Sequence, residues 1–260
     1  MPEGDAVRRT ARRLDGALVG QTLQVAEIRV PRAATADLVG CTVLGTHVHG
    51  KHLLLRMANG TSRLTLHSHL RMDGRWATGT ASGRPCAGPE HQVRVWLVGE
   101  QRQAVGLRLM EVAVVASDDE GDLIGHLGPD ILAASWDGAD GVRRVSATPD
   151  RGLVETLLDQ RVVSGLGTMW AAEAAFTAGV TPFTAVGDVH QLDVVLARTR
   201  QRMRRAIIDD RRASRARLNI FERRTCLRCG GPVRTGRVGH HDRVTYWCPR
   251  CQSGPGPTGR

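Results

Sequence analysis

His49-Gly50-Lys51-His52-Leu53-Leu54-Leu55-Arg56-Met57-Ala58-Asn59-Gly60-Thr61-Ser62-Arg63-Leu64-Thr65-Leu66-His67 is two apolar-rich runs joined by an asparagine–glycine pair. Asn-Gly is the residue pair that best tolerates the left-handed backbone of a two-residue hairpin turn. The spacing therefore predicts antiparallel strands over Leu53–Met57 and Arg63–His67. Working outward, further short runs recur at Leu23-Val25-Ile28-Val30, Thr42–Val48, Val93–Val98 and Leu107–Val115. The stretch Ala77–Gln92, rich in Gly, Ser, Thr and Pro, reads as a long exposed loop. Six or more such strands with no helices between them imply an antiparallel β-sandwich. Ahead of it, residues 5–19 carry Val7, Ala11, Leu14 and Leu18 at helical spacing, with Arg8, Arg9, Arg12 and Arg13 on other faces. That pattern predicts an amphipathic helix capped by Asp5 and ended by Gly20.

After the sandwich the pattern changes. The acidic stretch Ser117–Asp122 suggests a domain boundary, and helical spacing dominates from Ile124 to about Asp210. Within it, Leu157 to Ala174 reads as a helix ending near Gln160, a turn bearing Gly165 and Gly167, and a second helix starting near Thr168. A glycine-bearing turn at a helix N-terminus exposes N–H groups that suit a phosphate, although an ordinary helical connection looks the same. The helix expected over 188–209 turns Val195, Met203 and Ile207 inward and lines up Arg198, Arg202 and Arg205 on one face. Last come Cys226-Leu-Arg-Cys229 and Cys248-Pro-Arg-Cys251, with 18 residues between the pairs. Two Cys-x-x-Cys knuckles at this spacing predict one structural zinc held by Cys226, Cys229, Cys248 and Cys251. Val233–Val238 and Val244–Trp247 between them read as a β-hairpin that presents Arg243. Cys41 and Cys86 are left over and are expected to be buried or inert. The expected architecture is α+β and multidomain: 1–122, a sandwich with an N-terminal helix; 123–215, helical; 216–255, a zinc ribbon; 256–260, a disordered tail.

Composition narrows the partner. The chain of 260 residues has a formal net charge of +10, which points to a polyanion, with nucleic acid first. Nine residues are Phe, Trp or Tyr, too few for a surface that stacks many successive bases, so phosphate contact is the expected mode. There is no run of 18 apolar residues and no basic-then-apolar leader, so the expectation is a cytoplasmic chain with no membrane partner. Of 36 basic residues, 35 are arginine and one is Lys51. A compact ammonium retained where arginine has replaced every other lysine suggests a point-charge role, such as holding a phosphate.

The termini and turns supply the chemistry. If Met1 is removed from Met1-Pro2-Glu3-Gly4-Asp5, the chain begins with a secondary amine. An α-amino group has a pKa of roughly 7.7–8.0, so a useful fraction is neutral and nucleophilic. Attack on a carbonyl-level carbon gives an iminium, a strong electron sink, and Glu3 is placed to move protons beside it. The alternative is that Pro2 merely opens a helix. His67 and His69 are read as core or hydrogen-bonding histidines rather than metal ligands, since the local sequence offers no third ligand. Met72, before a turn at Asp73-Gly74, is either core or a wedge.

Pro2-Glu3-Gly4, Gly50-Lys51-His52-Leu53-Leu54, Leu127-Gly128-Pro129-Asp130, Leu158-Asp159-Gln160 with Gly165-Leu166-Gly167, and Cys226 to Cys251-Gln252 occur in this order. Together they resemble the formamidopyrimidine-DNA glycosylase/endonuclease VIII family. The resemblance implies a β-sandwich, a helix–two-turn–helix domain and a zinc ribbon, acting on damaged DNA, duplex or single-stranded, as a monomer. It implies Pro2 as nucleophile, Glu3 as proton donor, Lys51 and Arg243 as phosphate ligands, and Met72 as a wedge. Gly165, Gly167 and Thr168 fall at the family's phosphate-binding turn. The chain departs from the pattern at Ala6, where many members are acidic, at Thr168, where asparagine is usual, and at Asp242, where glycine is usual. A weakly catalytic or silent DNA-binding paralogue and an unrelated zinc-ribbon factor are the competing readings. About 15 residues (Asp210–Arg224) separate the last helix from the ribbon, with no Gly-rich insertion. That favours the endonuclease VIII-like branch, with oxidised pyrimidines and abasic sites as substrates rather than 8-oxoguanine.

Overall fold

Helix α1 (Gly4–Leu18) buries Val7, Leu14 and Leu18 completely, the face that its spacing predicts. It starts one residue earlier than expected, because Asp5 lies inside the first turn and accepts a hydrogen bond from the Trp170 indole Nε1 at 3.0 Å. Gly20, at φ 81°, turns the chain out of it. The computed structural model describes residues 2–209 and 217–257. The chain forms two compact units: Pro2 with Ala6–His126, and Glu3–Asp5 with Leu127 onward.

The first unit holds eight strands in two antiparallel sheets. Strands β1 (Val25–Ile28), β2 (Thr42–His49), β3 (His52–Asn59), β4 (Ser62–His69), β5 (Arg75–Thr80), β6 (Val93–Val98), β7 (Arg102–Leu107) and β8 (Glu111–Ala116) pair as β2-β3-β4-β8 and β1-β6-β7-β5. The Asn59–Ser62 pair closes the β3–β4 hairpin, so its two turn residues are Gly60, at φ 56°, and Thr61, one position later than the expected Asn59-Gly60. Leu53, Leu55 and Met57 of β3 alternate into the shared core with Leu66, Trp76, Val95 and Leu97 and the inner face of α1. Burying each such aliphatic side chain contributes about 1.5–3 kcal/mol.

Two further expectations need correction. The run Leu107–Val115 is not one strand but the end of β7, a turn at Arg108–Met110, and β8. The expected loop from Ala77 begins only after Thr80, since β5 pairs with β7 from Arg75 to Thr80. Gln103 explains why β7 is hard to see in sequence. It is a fully buried polar residue whose amide donates to the Thr80 and Arg84 carbonyls and whose oxygen accepts from Trp96 Nε1. The acidic stretch after β8 returns to the sheet: buried Glu120 accepts from Arg56 (2.8 and 2.5 Å) and from Thr65 (2.6 Å). Helix α2 (Glu120–Ile124) therefore remains with the first unit. Cys41 is buried, but Cys86 is exposed.

The second unit packs α3 (Gly138–Ser146), α4 (Leu153–Leu158), α5 (Thr168–Ala178) and α6 (Leu192–Ile208) with the hairpin β9 (Arg234–Val238) and β10 (Arg243–Trp247). Helix α5 is apolar nearly all round and is buried on both sides. Trp170, Ala171, Ala174 and Ala175 face the helical core, while Ala172 and Phe176 pack on Ile220, Cys226 and Cys248. The hairpin is seated by Trp247, edge-on to Phe183 at 5.3 Å between centroids. Among the described residues no helix is long and apolar enough to cross a membrane. The arginines at 211, 212 and 215, and residues 258–260 of the expected tail, lie outside the described residues.

Candidate active site

Glu3 is buried, 2 % exposed, and its carboxylate sits on the first turn of α5. Gly167 N–H donates to Oε2 at 2.8 Å, Met169 N–H to Oε1 at 2.8 Å, and Trp170 N–H to Oε2 at 3.2 Å. A helix start leaves its first N–H groups without intrahelical acceptors, and its positive dipole end favours an anion there. Gly4 N–H adds a bond to the Gly165 carbonyl at 2.9 Å, with Gly165 at φ 99°. Charge-assisted bonds of this kind fix the orientation of the carboxylate. Pro2, bonded directly to Glu3, is half-buried.

This arrangement revises the reading of the glycine turn. Three N–H groups expected to face a phosphate are occupied by the chain's own Glu3. Gly167 is required by that approach: a Cβ there would lie 2.5 Å from the Glu3 carboxyl carbon. Gln160, read from sequence as part of the turn, braces it by donating to the Leu166 carbonyl (2.9 Å) and accepting from Gly165 N–H (3.1 Å). Thr168 opens α5 and is half-buried.

In the first unit Gly50 and Lys51 form the two-residue turn between β2 and β3, closed by the His49–His52 pair, with Gly50 at φ 59°. Burial holds the His69 imidazole down to about 4, and the nearby Arg71 and Lys51 cations push the same way. Met72 is 62 % exposed at the β4–β5 turn, following Arg71 at φ 49°, so the core reading of this residue fails. A second exposed methionine, Met110, caps the β7–β8 turn after Arg108 at φ 52°. Sequence reasoning missed it by running one strand through that turn.

Arg243 opens β10, exposed, opposite Val238. Asp242 before it adopts φ 48°, a conformation at which glycine is unstrained, while its carbonyl accepts from Arg237 Nη1 at 2.8 Å. The basic face expected on α6 is smaller than predicted. Arg202 turns inward to donate to Glu173 Oε2 at 2.8 Å and lies 5.7 Å from the Trp170 ring centre. Glu173 is fully buried and also accepts from Ile220 N–H (2.9 Å), Phe221 N–H (3.2 Å) and Asn219 Nδ2 (2.9 Å), which fixes the segment leading into the ribbon.

The four knuckle cysteines fit a zinc ion. A tetrahedral cage with Zn–S near 2.3 Å has sulfur–sulfur edges of about 3.8 Å. Here Cys226–Cys251 is 3.9 Å and Cys229–Cys248 is 3.5 Å, and all four sulfurs lie within 4.8 Å of one another. Gly231 N–H donates to Cys229 Sγ and lowers that thiol to about 7. Gln252 closes the knuckle, accepting from Cys248 N–H (2.8 Å) and donating to the Val180 carbonyl (2.6 Å). The cysteines hold one structural zinc.

Comparison with known proteins agrees with this architecture. Residues 1–112 match the formamidopyrimidine-DNA glycosylase N-terminal domain, and residues 225–254 match the zinc finger found in FPG and IleRS. A probable endonuclease 8 2 of Streptomyces coelicolor is 43 % identical, covering 99 % of this chain and 96 % of its own. The DNA-(apurinic or apyrimidinic site) lyase Nei2 of Mycolicibacterium smegmatis is 37 % identical over 97 % of this chain and 99 % of its own. Among solved structures, Lactococcus lactis Fpg in complex with an abasic site containing DNA superposes with a TM-score of 0.81 at 21 % identity, covering 97 % of this chain and all of that one. At that identity the likeness establishes the fold alone.

Proposed function

The chain belongs to the formamidopyrimidine-DNA glycosylase/endonuclease VIII family, and on that premise we propose that it is a bifunctional DNA glycosylase and abasic-site lyase of base excision repair. The observation that carries this reading is the Glu3 carboxylate, oriented by three N–H donors next to the only residue that becomes a secondary amine when Met1 is removed. In the proposed reaction the Pro2 nitrogen bonds to the anomeric carbon of the lesion's sugar as the glycosidic bond breaks. Glu3 delivers a proton to the sugar ring oxygen, which opens the ring to an iminium. That electron sink acidifies the adjacent C2′, whose lost proton expels the 3′ phosphate; loss of a second proton, from C4′ of the conjugated iminium, then expels the 5′ phosphate.

Reaching the anomeric carbon requires the nucleotide to leave the stack, at a cost of a few kcal/mol. The exposure of Met72 supports a role as the wedge that fills the vacated space. Lys51 and Arg243 are assigned to the flanking phosphates, and Gly165, Gly167 and Thr168 to the turn beside them, with Gly167 acting by admitting Glu3. The proposed substrates are oxidised pyrimidines and abasic sites. The names of the two relatives and the short Asp210–Arg224 segment support that choice, although residues 210–216 lie outside the described residues. Relative excision rates of thymine glycol, 5-hydroxycytosine and 8-oxoguanine check it, and faster release of 8-oxoguanine reverses the branch.

Borohydride trapping on abasic-site DNA tests the nucleophile cleanly, because the mature terminus and Lys51 are the only amines in the chain. Retaining Met1 should abolish the crosslink while DNA binding survives. Lys51→Ala should weaken binding yet leave trapping. The opposite pattern assigns the nucleophile to Lys51.

A further inference from the structure

Strands β3, β4 and β8 bring a second set of metal-type donors together on one face of their sheet, remote in sequence from the cysteines. His52 lies opposite His69, which lies opposite Glu111, and His67 is two residues from His69 on the same face. His52, His67 and Glu111 each place a ligand atom within 4.8 Å of the other two. His52 Nδ1 and His67 Nε2 are 2.9 Å apart, and the rings stack with centroids 5.1 Å apart and planes 15° apart. The rings of His69 and His126 close around His52, at 4.9 and 6.4 Å.

A histidine–histidine hydrogen bond accounts for part of this arrangement but leaves a remainder. His67 is 1 % exposed, and its Nδ1 is buried with no hydrogen-bond partner among the described residues. The two nitrogens of an imidazole point away from each other, so an ion held by His67 Nε2 leaves Nδ1 as the nitrogen that carries the ring proton. The carboxylate is oriented too. Both Arg71 bonds to Glu111, at 3.1 and 2.7 Å, end on Oε2, so Oε1 lies outside that ion pair.

We infer that His52, His67 and Glu111 form a second metal site, for a divalent first-row ion of zinc's borderline softness. Two imidazoles and a carboxylate suit zinc, cobalt and nickel far better than calcium or magnesium, which prefer oxygen-only shells. Imidazole nitrogens about 2.0–2.1 Å from a tetrahedral ion stand about 3.4 Å apart, so the two rings need separate by only about half an ångström. Three protein ligands leave a fourth position for water. An ion there crosslinks three strands of the sheet next to the Lys51 turn, and shares Glu111 with Arg71, the residue before the exposed Met72.

The test is zinc stoichiometry of the purified full chain, measured by elemental analysis after dialysis against buffered free zinc. The native chain should take up a second equivalent beyond the thiolate cage, and that equivalent should leave first when a weak chelator is added. Cobalt in the second position should absorb in the visible without the thiolate charge-transfer bands of the cage. His52→Asn and Glu111→Gln should each bind a single equivalent and keep the native far-ultraviolet circular dichroism. Glu111 is partly exposed and glutamine is isosteric with it, so this variant remains informative if changes at buried His67 unfold the sheet. Cys248→Ser should keep the His52 site, and a His240→Ala, His241→Ala double variant should keep both. Saturation of the native chain at one equivalent overturns the assignment. So does a second equivalent that survives both His52→Asn and Glu111→Gln, which would be surface binding.

Discussion

Helix α5 carries two anchors of opposite kind. At its start, Glu3 docks on the N–H groups of Gly167, Met169 and Trp170, bringing together residues more than 160 positions apart. Along its far side, Ala172 and Phe176 pack on the cysteine knuckles, whose ligands come in two pairs with local spacing. The first anchor holds the N-terminal residues through backbone dipoles, and the second seats the hairpin that carries Arg243 through a metal and an apolar seam. The difference teaches that one short helix organises two tasks through devices that should fail independently.

The largest expected effect comes from breaking the second anchor. Structural zinc contributes roughly 10–16 kcal/mol to folding of isolated finger peptides, so Cys248→Ser should lose the cage zinc and unfold the ribbon. Affinity for DNA should drop steeply, while residual trapping at high protein concentration persists. Elemental analysis and borohydride trapping read the two outcomes separately. Trapping that vanished outright even at saturating protein would mean that the anchors are coupled.

Glu173 lies between the two devices and is the place to look for such coupling. Replacing it with alanine removes the carboxylate partner of the half-buried Arg202 and the acceptor of the buried Ile220 N–H and the Phe221 N–H. Removing one partner of a buried ion pair costs about 3–5 kcal/mol, and the melting temperature should fall accordingly. A shift of less than about 1 kcal/mol in denaturant unfolding would mean that the ribbon's lead-in segment is held by other contacts.

Gly167→Ala strikes the first anchor alone. Its Cβ would collide with the Glu3 carboxyl carbon, and overpacking of this kind costs about 1–3 kcal/mol. The rate of trapping should fall by an order of magnitude or more, since displacing a positioned group by an ångström can cost about 100-fold. Zinc content should not change. The smallest effect is expected at Arg243: its replacement by alanine should reduce the slope of log affinity against log salt by about one contact and leave trapping at saturation intact. An unchanged slope would remove Arg243 from the phosphate contacts.

How legible each anchor was in the sequence follows from its geometry. The cysteine pairs were readable because metal ligands in a knuckle must be close in sequence as well as in space. The β3–β4 hairpin was readable for the same reason, through Asn59-Gly60 and the alternation of Leu53, Leu55 and Met57. The Glu3 clamp was not, since nothing near position 3 announces the donors at 167–170, and the glycines there read equally well as a phosphate loop. Strand β7 was missed because its inward positions include Gln103, whose amide network replaces apolar contact. Arg202 looked like one more surface cation, since its buried partner Glu173 lies 29 residues upstream on another helix. His52 and Glu111 escaped notice as companions of His67 because strand pairing, not spacing, brings them together.

The clamp on Glu3 also sets an order of events during synthesis. The residues that supply its three hydrogen bonds are made more than 160 positions after it, which at ribosomal rates of about 5–20 residues per second is roughly 10–30 s later. Through that interval Glu3 has none of the three donors that hold it in the folded chain. With Pro2 as the proposed nucleophile, a nascent chain therefore carries that residue well before the donors that orient Glu3 exist.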